Sequence, residues 1–263
     1  MTAVDKNQRK QVAMVTGGRQ GIGRASALAL AREGFEIVVV DLYDDEKTRE
    51  TLSEISALGA NASFIRADIG NLSCHADLVR DAWSLHGHVD CLVDNAGVAA
   101  RPIKDVLDVT PEDFDSNFNV NIRGTFFLTQ AIARRMIEDV NPPPYRSIVV
   151  ISSMGAHYAV VNRSQYCMSK AAVSMMAKIM GVRLAPNGIH VHDIRPGYIR
   201  TEMHAWRGTT ELHPRIANGD VPIKRWGEAS DVGRLVATLA TGMVPYTTGE
   251  PFVIDGGLRA NSA

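Results

Sequence analysis

Hydrophobic residues in this chain fall into short continuous runs that are separated by longer amphipathic segments. Val12–Val15 is the first such run, and Ile37–Val40 is the second. Uninterrupted runs of β-branched residues are typical of strands buried on both faces of a sheet, whereas a strand with one wet face alternates apolar and polar positions. Further strands are predicted at Ala62–Arg66, Cys91–Val93, Ser147–Ile151, His190–Ile194 and Phe252–Ile254.

The segments between these runs have the periodicity of amphipathic helices. Gly21 to about Arg32 places apolar residues on one face, and Gly34 ends this helix before the second strand. Two longer helices are predicted at about Phe114–Glu138 and Ser164–Leu184. Strands that alternate with helices pair in parallel through right-handed crossovers. The sequence therefore predicts an α/β fold, a single-domain Rossmann-type doubly wound parallel sheet with helices on both faces.

The overall composition narrows the class of protein. The chain has 263 residues, a formal net charge of −1 and three cysteines that are not spaced as a metal or redox motif. Residues 1–10 read as a polar tail and residues 11–263 as one catalytic domain, and no segment approaches the roughly 20 apolar residues that span a bilayer. We therefore expect a cytoplasmic protein with free thiols that binds neither nucleic acid nor membranes.

A glycine-rich segment links the first strand to the first helix. Gly17, Gly21 and Gly23 follow the strand with the spacing G-x-x-x-G-x-G. Gly17 permits a tight turn, Gly21 lets the backbone approach a pyrophosphate, and Gly23 allows close packing of the helix. Free N–H groups at the helix start attract phosphate, so the segment predicts a dinucleotide site rather than an ordinary strand–turn–helix corner. Its other predicted members are Arg19, Gln20 and Ile22.

The residues after the second strand bear on which dinucleotide is bound. Asp41 and Leu42 follow this strand, and a carboxylate there accepts hydrogen bonds from the adenosine ribose. It also repels a 2′-phosphate, and Asp44 and Asp45 add to that field. We therefore expect NAD(H) as the favoured cofactor, with NADP(H) as the alternative in which Arg19 pairs with the phosphate.

A tyrosine and a lysine stand four residues apart on the predicted helix Ser164–Leu184. The spacing between Tyr166 and Lys170 stacks both side chains on one face. A free tyrosine has a pKa of about 10, and a nearby ammonium group favours the phenolate. The pair therefore predicts a general acid/base that takes a proton from an alcohol or donates one to a carbonyl.

Ser153 follows the apolar strand Ser147–Ile151 directly. In a parallel sheet, ligands bind beyond the carboxyl ends of the strands, so its hydroxyl is expected beside the substrate. There it orients the reacting oxygen through a hydrogen bond. Cys167 stands next to Tyr166, and we interpret it as a packed helix residue rather than a reactive one.

These motifs and several others resemble the short-chain dehydrogenase/reductase family over about residues 10–260. Their order and spacing along the chain agree with that family. The remaining motifs that carry the resemblance are Asp68-Ile69, Asn95-Ala96-Gly97, Asn121, Pro196-Gly197 and Asp255-Gly256-Gly257. One departure is Asp94, where the family often has another asparagine, and we expect it to have little effect on the chemistry.

The resemblance implies roles for residues at both ends of a nicotinamide dinucleotide. Asp68 and Ile69 would lie near the adenine, and Lys170 would bind the nicotinamide ribose. Asn121 would hold a water linked to that lysine, with Asn119 as the alternative for the same role. The cofactor groove would be lined by Asn95, Ala96 and Gly97, and the nicotinamide and phosphates would be embraced by Pro196, Gly197, Ile199 and Thr201.

The resemblance also implies a lid over the substrate at about residues 203–226. This segment is basic and aromatic, which suits an anionic or polar substrate, although solvent exposure alone explains most such charges. His204 in the lid, with His157 and Arg163 near the catalytic pair, are the predicted substrate contacts besides Ser153 and Tyr166. Family members usually form dimers or tetramers through two long helices, so a homo-oligomer, favoured as a homotetramer, is implied.

Three function classes follow from these observations. The chain is similar to members labelled 3-oxoacyl-acyl-carrier-protein reductase, whereas NAD-dependent polyol and sugar dehydrogenases share the same skeleton. A nucleotide-binding regulator without turnover is a further alternative, but it would be expected to lack one of Asn121, Ser153, Tyr166 or Lys170. A metal-dependent alcohol dehydrogenase is disfavoured because the eight histidines form no ligand-like cluster in the sequence, and we expect no metal.

Overall fold

A computed structural model describes residues 9–202 and 213–260. Its strands, in chain order, are β1 (Val12–Thr16), β2 (Glu36–Asp41), β3 (Ala62–Arg66), β4 (Cys91–Asp94), β5 (Arg146–Ile151), β6 (Ile189–Pro196), β7 (Ile199–Arg200), β8 (Gly227–Glu228) and β9 (Pro251–Ile254). Seven of them form one parallel sheet in the order β3-β2-β1-β4-β5-β6-β9, and β7 pairs with β8 alone. The predicted doubly wound sheet is confirmed.

Helices cover both faces of this sheet. The α-helices of the described residues are α1 (Gly21–Arg32), α2 (Glu46–Ala57), α3 (His75–His86), α4 (Pro111–Phe118), α5 (Thr125–Ile137), α6 (Ser164–Leu184), α7 (Pro214–Ala217) and α8 (Ala229–Ala240). One core joins the sheet to α3, α5 and α6, and a second core joins the opposite face to α1, α2 and α8. Strands β1, β2 and β5 therefore bury almost every residue, which explains their unbroken apolar runs.

The helix predicted at about Phe114–Glu138 is divided in the structure. Helices α4 and α5 are joined by a π-helical turn over Asn119–Gly124. Gly124 lies against another backbone at this turn, because a Cβ there would stand 2.8 Å from the carbonyl carbon of Ile69. The apolar periodicity continues across the turn, so the sequence did not reveal the division.

The strand order reverses between β1 and β4, which leaves a crevice beyond their carboxyl ends. Both the loop after β1 and the loop after β4 open into it. Open α/β sheets bind ligands at this kind of switch point. The fold therefore brings the glycine-rich segment to the same edge of the sheet as the segment that begins at Asn95.

A buried histidine lies at the opposite side of the sheet from α6. His192 is fully buried, its Nε2 is 2.9 Å from the Tyr145 hydroxyl, and its Nδ1 has no hydrogen-bond partner within the described residues. Burial, reinforced by the neighbouring His190, lowers the pKa of His192 to about 4 from an ordinary value of 6.5. The folded state therefore holds this imidazole in its neutral form.

We expect the free energy of unfolding to fall as the pH falls from 6.5 to about 4, the interval between the two pKa values of His192. The unfolded chain takes up a proton there that the folded chain does not, which costs up to about 3 kcal/mol. Urea unfolding at a series of pH values measures this loss. His192→Gln should remove this component, and an equal loss in that variant would contradict the assignment.

Candidate active site

The turn between β1 and α1 requires glycine at several positions. Gly17 and Gly21 have φ angles of 64° and 59°, in the left-handed region that side chains disfavour. Gly23 has no room for a side chain. A Cβ there would overlap the Gly17 carbonyl oxygen and would lie 2.5 Å from Asn95 Nδ2. The three glycines therefore fix the shape of a tight loop.

Asn95 fastens this loop to the end of β4. Its Nδ2 donates to the carbonyl oxygens of Thr16 and Gly17 at 2.9 and 3.1 Å. In return, Thr16 Oγ1 accepts hydrogen bonds of 3.0 Å from the backbone N–H groups of Asn95 and Ala96. The predicted groove residues thus bind the glycine loop at the switch point. The sequence did not predict that the Thr16 side chain would join the glycine loop to the end of β4.

The start of α1 is suited to bind a phosphate group. Gln20 is the N-cap residue, and its side chain does not cap the helix. Its Oε1 instead accepts hydrogen bonds from Arg19 and Lys47 at 3.0 and 3.3 Å. The first N–H groups of the helix are therefore left to a ligand and carry the positive end of the helix dipole. With the glycine cradle, this arrangement fits the pyrophosphate of a dinucleotide.

The end of β2 carries the carboxylate predicted to bind ribose. Asp41 Oδ1 accepts from the Leu42 N–H at 2.8 Å, and its Oδ2 accepts from the Arg19 N–H at 3.3 Å. The Arg19 side chain is bound to Asp45, with a 2.8 Å hydrogen bond from Nε and a second from a terminal nitrogen. This pairing lowers the pKa of Asp45 to about 2. Asp45 therefore neutralises the cation that was expected to attract a 2′-phosphate.

The two residues implied at the adenine lie after β3. Asp68 Oδ1 accepts from the Gly70 N–H at 2.8 Å, which shapes the turn. Ile69 is buried in the core beneath this turn, and its carbonyl oxygen is 2.8 Å from His75 Nε2. The turn lies one strand beyond Asp41, at the same edge of the sheet.

Ser153 and Tyr166 meet beyond the end of β5. Ser153 caps a short 3₁₀ turn, where its Oγ accepts from the Gly155 N–H at 3.0 Å, and it also hydrogen-bonds to the Tyr166 phenol. Desolvation of the phenol raises the pKa of Tyr166, while the bond to Ser153 and the charge of Arg163 act to lower it. The sequence predicts a lowered pKa from the Lys170 ammonium together with the positive charge of an oxidised nicotinamide. Among the groups of the protein alone, burial outweighs the opposing influences and the pKa of Tyr166 is raised.

Lys170 is buried beneath the same site. Its Nζ donates to the Ile151 carbonyl oxygen at 2.9 Å. Burial lowers the pKa of Lys170 to about 8, although the carboxyl groups of Asp193 and Asp94 act to raise it. A lysine in this state exchanges its proton close to neutral pH.

Asn121 lies beside Lys170, whereas Asn119 does not. The buried Asn121 side chain accepts from the Val98 N–H at 2.7 Å and donates to the Val98 carbonyl and Ser169 at 2.9 and 3.0 Å. A Cβ on Gly97 would lie 3.0 Å from Asn121 Oδ1 and 3.4 Å from Lys170 Nζ. Asn119 instead donates to the Gly70 carbonyl at 3.1 Å.

The loop after β6 carries the residues predicted to lie at the nicotinamide. The Gly197 N–H donates to the Ile254 carbonyl at 2.9 Å, and Pro196 is buried at the end of β6. Ile199 is buried in the core, while Thr201 faces the glycine loop, 3.6 Å from the position of a Cβ on Gly21. The structure thus brings both predicted cofactor segments to one crevice.

Two of the predicted substrate contacts differ in their surroundings. Arg163 is half-buried, and its charge acts to lower the pKa of Tyr166, whereas His157 is exposed and packs against Tyr158. His204 and residues 203–212 of the predicted lid lie outside the described residues. In the rest of that segment, His213 stacks on Tyr198 with ring centroids 4.0 Å apart, and the buried Trp226 meets both rings edge-on.

Two further buried carboxyl groups, Asp193 and Asp94, act electrostatically on Lys170, and no sequence motif predicted this role for either of them. Asp193 accepts from Ser152, from Ser174 at 2.5 Å and from Arg195 at 3.1 Å. Asp94 accepts from Thr129. The sequence did signal these two residues as polar positions within apolar strands. It could not identify those of their hydrogen-bond partners that are distant along the chain.

Residues 9–202 and 213–260 contain no group of three histidine, cysteine or acidic side chains arranged to hold a metal ion. In the same residues, no helix has both the length and the apolar character that crossing a bilayer requires.

The chain is similar in sequence and structure to known proteins. The adh_short_C2 family model, described as enoyl-(acyl carrier protein) reductase, matches residues 17–259. The crystal structure of a 3-oxoacyl-[acyl-carrier protein] reductase from Brucella melitensis in complex with NAD is 40% identical, with a TM-score of 0.92. It covers 97% of this chain and 99% of its own.

Two curated relatives also match over nearly their whole length. The L-rhamnose 1-dehydrogenase (NAD(P)(+)) of Azotobacter vinelandii is 33% identical over 94% of this chain and 96% of its own. The 3-oxoacyl-[acyl-carrier-protein] reductase of Synechocystis sp. is 30% identical over the same two shares. Proteins similar to this chain therefore include both thioester reductases and sugar dehydrogenases.

Proposed function

The chain belongs to the short-chain dehydrogenase/reductase family, and we propose that it is a member that uses NAD(H) to interconvert a secondary alcohol and a ketone. It is an oxidoreductase of the family that acts on CH–OH and carbonyl groups with a nicotinamide cofactor. The glycine cradle formed by Gly17, Gly23 and Asn95, with the uncapped start of α1, fits such a cofactor. When bound, the nicotinamide supplies or accepts the hydride.

We assign the proton chemistry to the cluster beyond β5. Tyr166 donates its proton to the carbonyl oxygen during reduction and accepts one from the alcohol during oxidation. Ser153 already hydrogen-bonds to the phenol, so the reacting oxygen can bind both hydroxyl groups at once. Lys170 holds a buried positive charge beside this site and binds the nicotinamide ribose. Asn121 orients the Gly97–Val98 backbone that lies against the lysine.

The observation that carries the cofactor preference is the arrangement of Asp41, Arg19 and Asp45. Asp41 presents a carboxylate at the end of β2, where ribose hydroxyl groups donate hydrogen bonds. Arg19 is held by Asp45 and so is not oriented toward an added phosphate. A 2′-phosphate would meet one uncompensated carboxylate and one neutralised cation. This supports NAD(H) over NADP(H).

We expect the purified protein to bind NADH more tightly than NADPH, and Asp41→Ser to lower the NADH affinity by about tenfold or more. Loss of a hydrogen bond to a charged group costs about 1.5–3 kcal/mol. Fluorescence titration with each cofactor measures both values. Asp44→Ser is the matched control, because Asp44 is an exposed neighbour with only a 3.9 Å ion pair to Arg49. Equal affinities of the unmodified protein for both cofactors would overturn the proposed preference.

A 3-oxoacyl thioester is the first substrate candidate, supported by the similarity to the Brucella melitensis reductase over 97% of the chain. A sugar or sugar acid is the second, favoured by the NAD-type residues at β2 and by the similarity to L-rhamnose 1-dehydrogenase. Turnover of 3-oxoacyl thioesters with NADH, compared with oxidation of aldoses by NAD⁺, decides between them. Turnover of neither class would overturn both candidates.

We also propose that the protein is a cytoplasmic homo-oligomer, most simply a homotetramer. Helices α5 and α6 leave Phe127, Met175, Ile179 and Val182 exposed, with Val182 at 74%. Met176 and Met180 on α6 are instead buried in the core and are not available for an interface. The free thiols of Cys74, Cys91 and Cys167 suit a reducing compartment.

A further inference from the structure

Asp94 is a buried carboxyl group with half of its hydrogen-bonding capacity unused. It ends β4, immediately before Asn95, and is 3% exposed. One oxygen accepts from Thr129 on α5, but Oδ1 has no partner within the described residues. Buried polar groups are nearly always satisfied, so an unpartnered carboxylate oxygen calls for a specific explanation.

The nearest cation that acts on this carboxyl group belongs to the proposed catalytic set. Lys170 on α6 and Asp94 influence each other electrostatically in both directions. Geometry brings the two groups to one point of β5, since Asp94 pairs in register with Val150 and Lys170 Nζ donates to the carbonyl oxygen of the next residue, Ile151, at 2.9 Å. Lysine Nζ already donates to the Ile151 carbonyl, which leaves its charge without a directly bonded carboxylate.

A second carboxyl group, Asp193 on β6, exerts the larger of the two carboxyl influences on the pKa of Lys170, but it also has a cation of its own. Asp193 is bound by the guanidinium group of Arg195 at 3.1 Å, and its oxygens also accept from Ser152 and Ser174. Asp94 has only the neutral Thr129 hydroxyl. Of the two buried acids, Asp94 is therefore the one whose negative charge acts on the lysine without a competing cation of its own.

We propose that Asp94 is a positioning residue for Lys170, whose carboxylate holds the buried amine in its protonated form beneath the catalytic tyrosine. The importance of this pair for catalysis rests on the proposed function, whereas the effect of Asp94 on the protonation of Lys170 does not. Asparagine, which the family often has at this position, would fill the same space without a charge. The sequence predicted little effect of Asp94 on the chemistry, whereas a titratable group at this position changes the electrostatic environment of Lys170.

The two groups titrate in neighbouring ranges. Burial raises the pKa of Asp94 to about 7, while the Thr129 hydrogen bond and Lys170 act to lower it. Burial lowers the pKa of Lys170 to about 8. The pKa values of these two buried groups are thus displaced toward each other, so the groups titrate as a coupled pair.

Asp94→Asn is expected to lower the titration midpoint of Lys170 by about one pH unit or more, because an opposite charge at close range favours the ammonium form. Protein with lysine ¹³C-labelled at Cε reports this midpoint by NMR, and Lys170→Arg assigns the resonance through its loss. Neither measurement requires a substrate. An unchanged midpoint in Asp94→Asn would overturn the proposal.

Stability as a function of pH gives an independent test of the buried carboxyl group. The raised pKa means that folding holds a proton on Asp94, so its contribution is greatest at low pH and is lost as the pH rises toward 7. Between about pH 5 and about pH 8.5, the unfolding constant of the natural protein should rise about 100-fold relative to that of Asp94→Asn. The difference between the two proteins removes the contribution of His192, which titrates equally in both, and leaves that of Asp94 together with its coupled partner Lys170.

Thr129→Val provides a second variant in case Asp94→Asn folds poorly. It removes the hydrogen bond that stabilises the carboxylate, so the loss of stability should move to higher pH. A profile like that of the natural protein would contradict the proposal. The two proposals can fail separately. If Asp94→Asn lowers the Lys170 midpoint but the natural protein neither binds NADH nor turns over any alcohol or ketone, the Asp94–Lys170 pair stands and the proposed function is overturned.

Discussion

Tyr166→Phe is expected to reduce turnover with an accepted alcohol or ketone by about 10³-fold. The substitution removes the hydroxyl group that exchanges a proton with the substrate and leaves the ring to fill its place on α6. NADH affinity should change far less, because the glycine loop and Asp41 are proposed to bind the other end of the cofactor. Steady-state kinetics with a fluorescence titration of NADH separates these two effects.

Tyr246→Phe is the matched control for this experiment. Tyr246 is fully exposed, so loss of its hydroxyl should leave turnover unchanged. Full turnover in Tyr166→Phe would show that the catalytic assignment is wrong. Absence of turnover in the natural protein, with NADH still bound, would instead favour the nucleotide-binding regulator.

The resting state of Tyr166 explains why the cofactor matters to this chemistry. Burial raises the pKa of the phenol, and Ser153 and Arg163 oppose this only in part. The phenol is therefore protonated at neutral pH and ready to donate to a carbonyl. Oxidation of an alcohol requires the phenolate, which the positive charge of an oxidised nicotinamide favours when it is bound.

The sheet could be predicted from the sequence because parallel strands are buried on both faces. The runs at Val12–Val15 and Ile37–Val40 have no polar interruptions, and the structure places them at β1 and β2 with one added residue at β1 and one at each end of β2. The boundaries predicted for α1 and α6 match the structure. The division between α4 and α5 could not be predicted, because a π-helical turn preserves the apolar spacing on either side of it.

The site could be predicted only as far as spacing specifies neighbours. The interval between Tyr166 and Lys170 places them on one helical face whatever their surroundings. Spacing gives no comparable information about hydrogen-bond partners that are distant along the chain. Arg19 lies 26 residues from Asp45, and Asp94 lies 35 residues from Thr129. The pairings of Arg19 with Asp45 and of Asp94 with Thr129 therefore become visible only in the folded chain.

Gly23→Ala is expected to lower NADH affinity by about 100-fold or more and to destabilise the protein by about 3 kcal/mol, at the upper end of the cost of overpacking. A Cβ at this position would lie 2.5 Å from Asn95 Nδ2 and 2.8 Å from the Gly17 carbonyl carbon. Neither neighbour can move freely, because Asn95 Nδ2 donates to Thr16 and Gly17. The methyl group would therefore separate α1 from the loop that is proposed to hold the pyrophosphate.

Gly34→Ala separates this steric effect from backbone strain. Gly34 has a φ of 89°, and a Cβ there would meet nothing within 4 Å. Its substitution should cost about 1–2 kcal/mol of stability through the unfavourable φ alone and leave NADH affinity unchanged. Gly23 is not among the residues with positive φ, so any loss of affinity there must come from the clash. If Gly23→Ala bound NADH as tightly as Gly34→Ala, the close approach of α1 to the Gly17 carbonyl would not be what shapes the cofactor site.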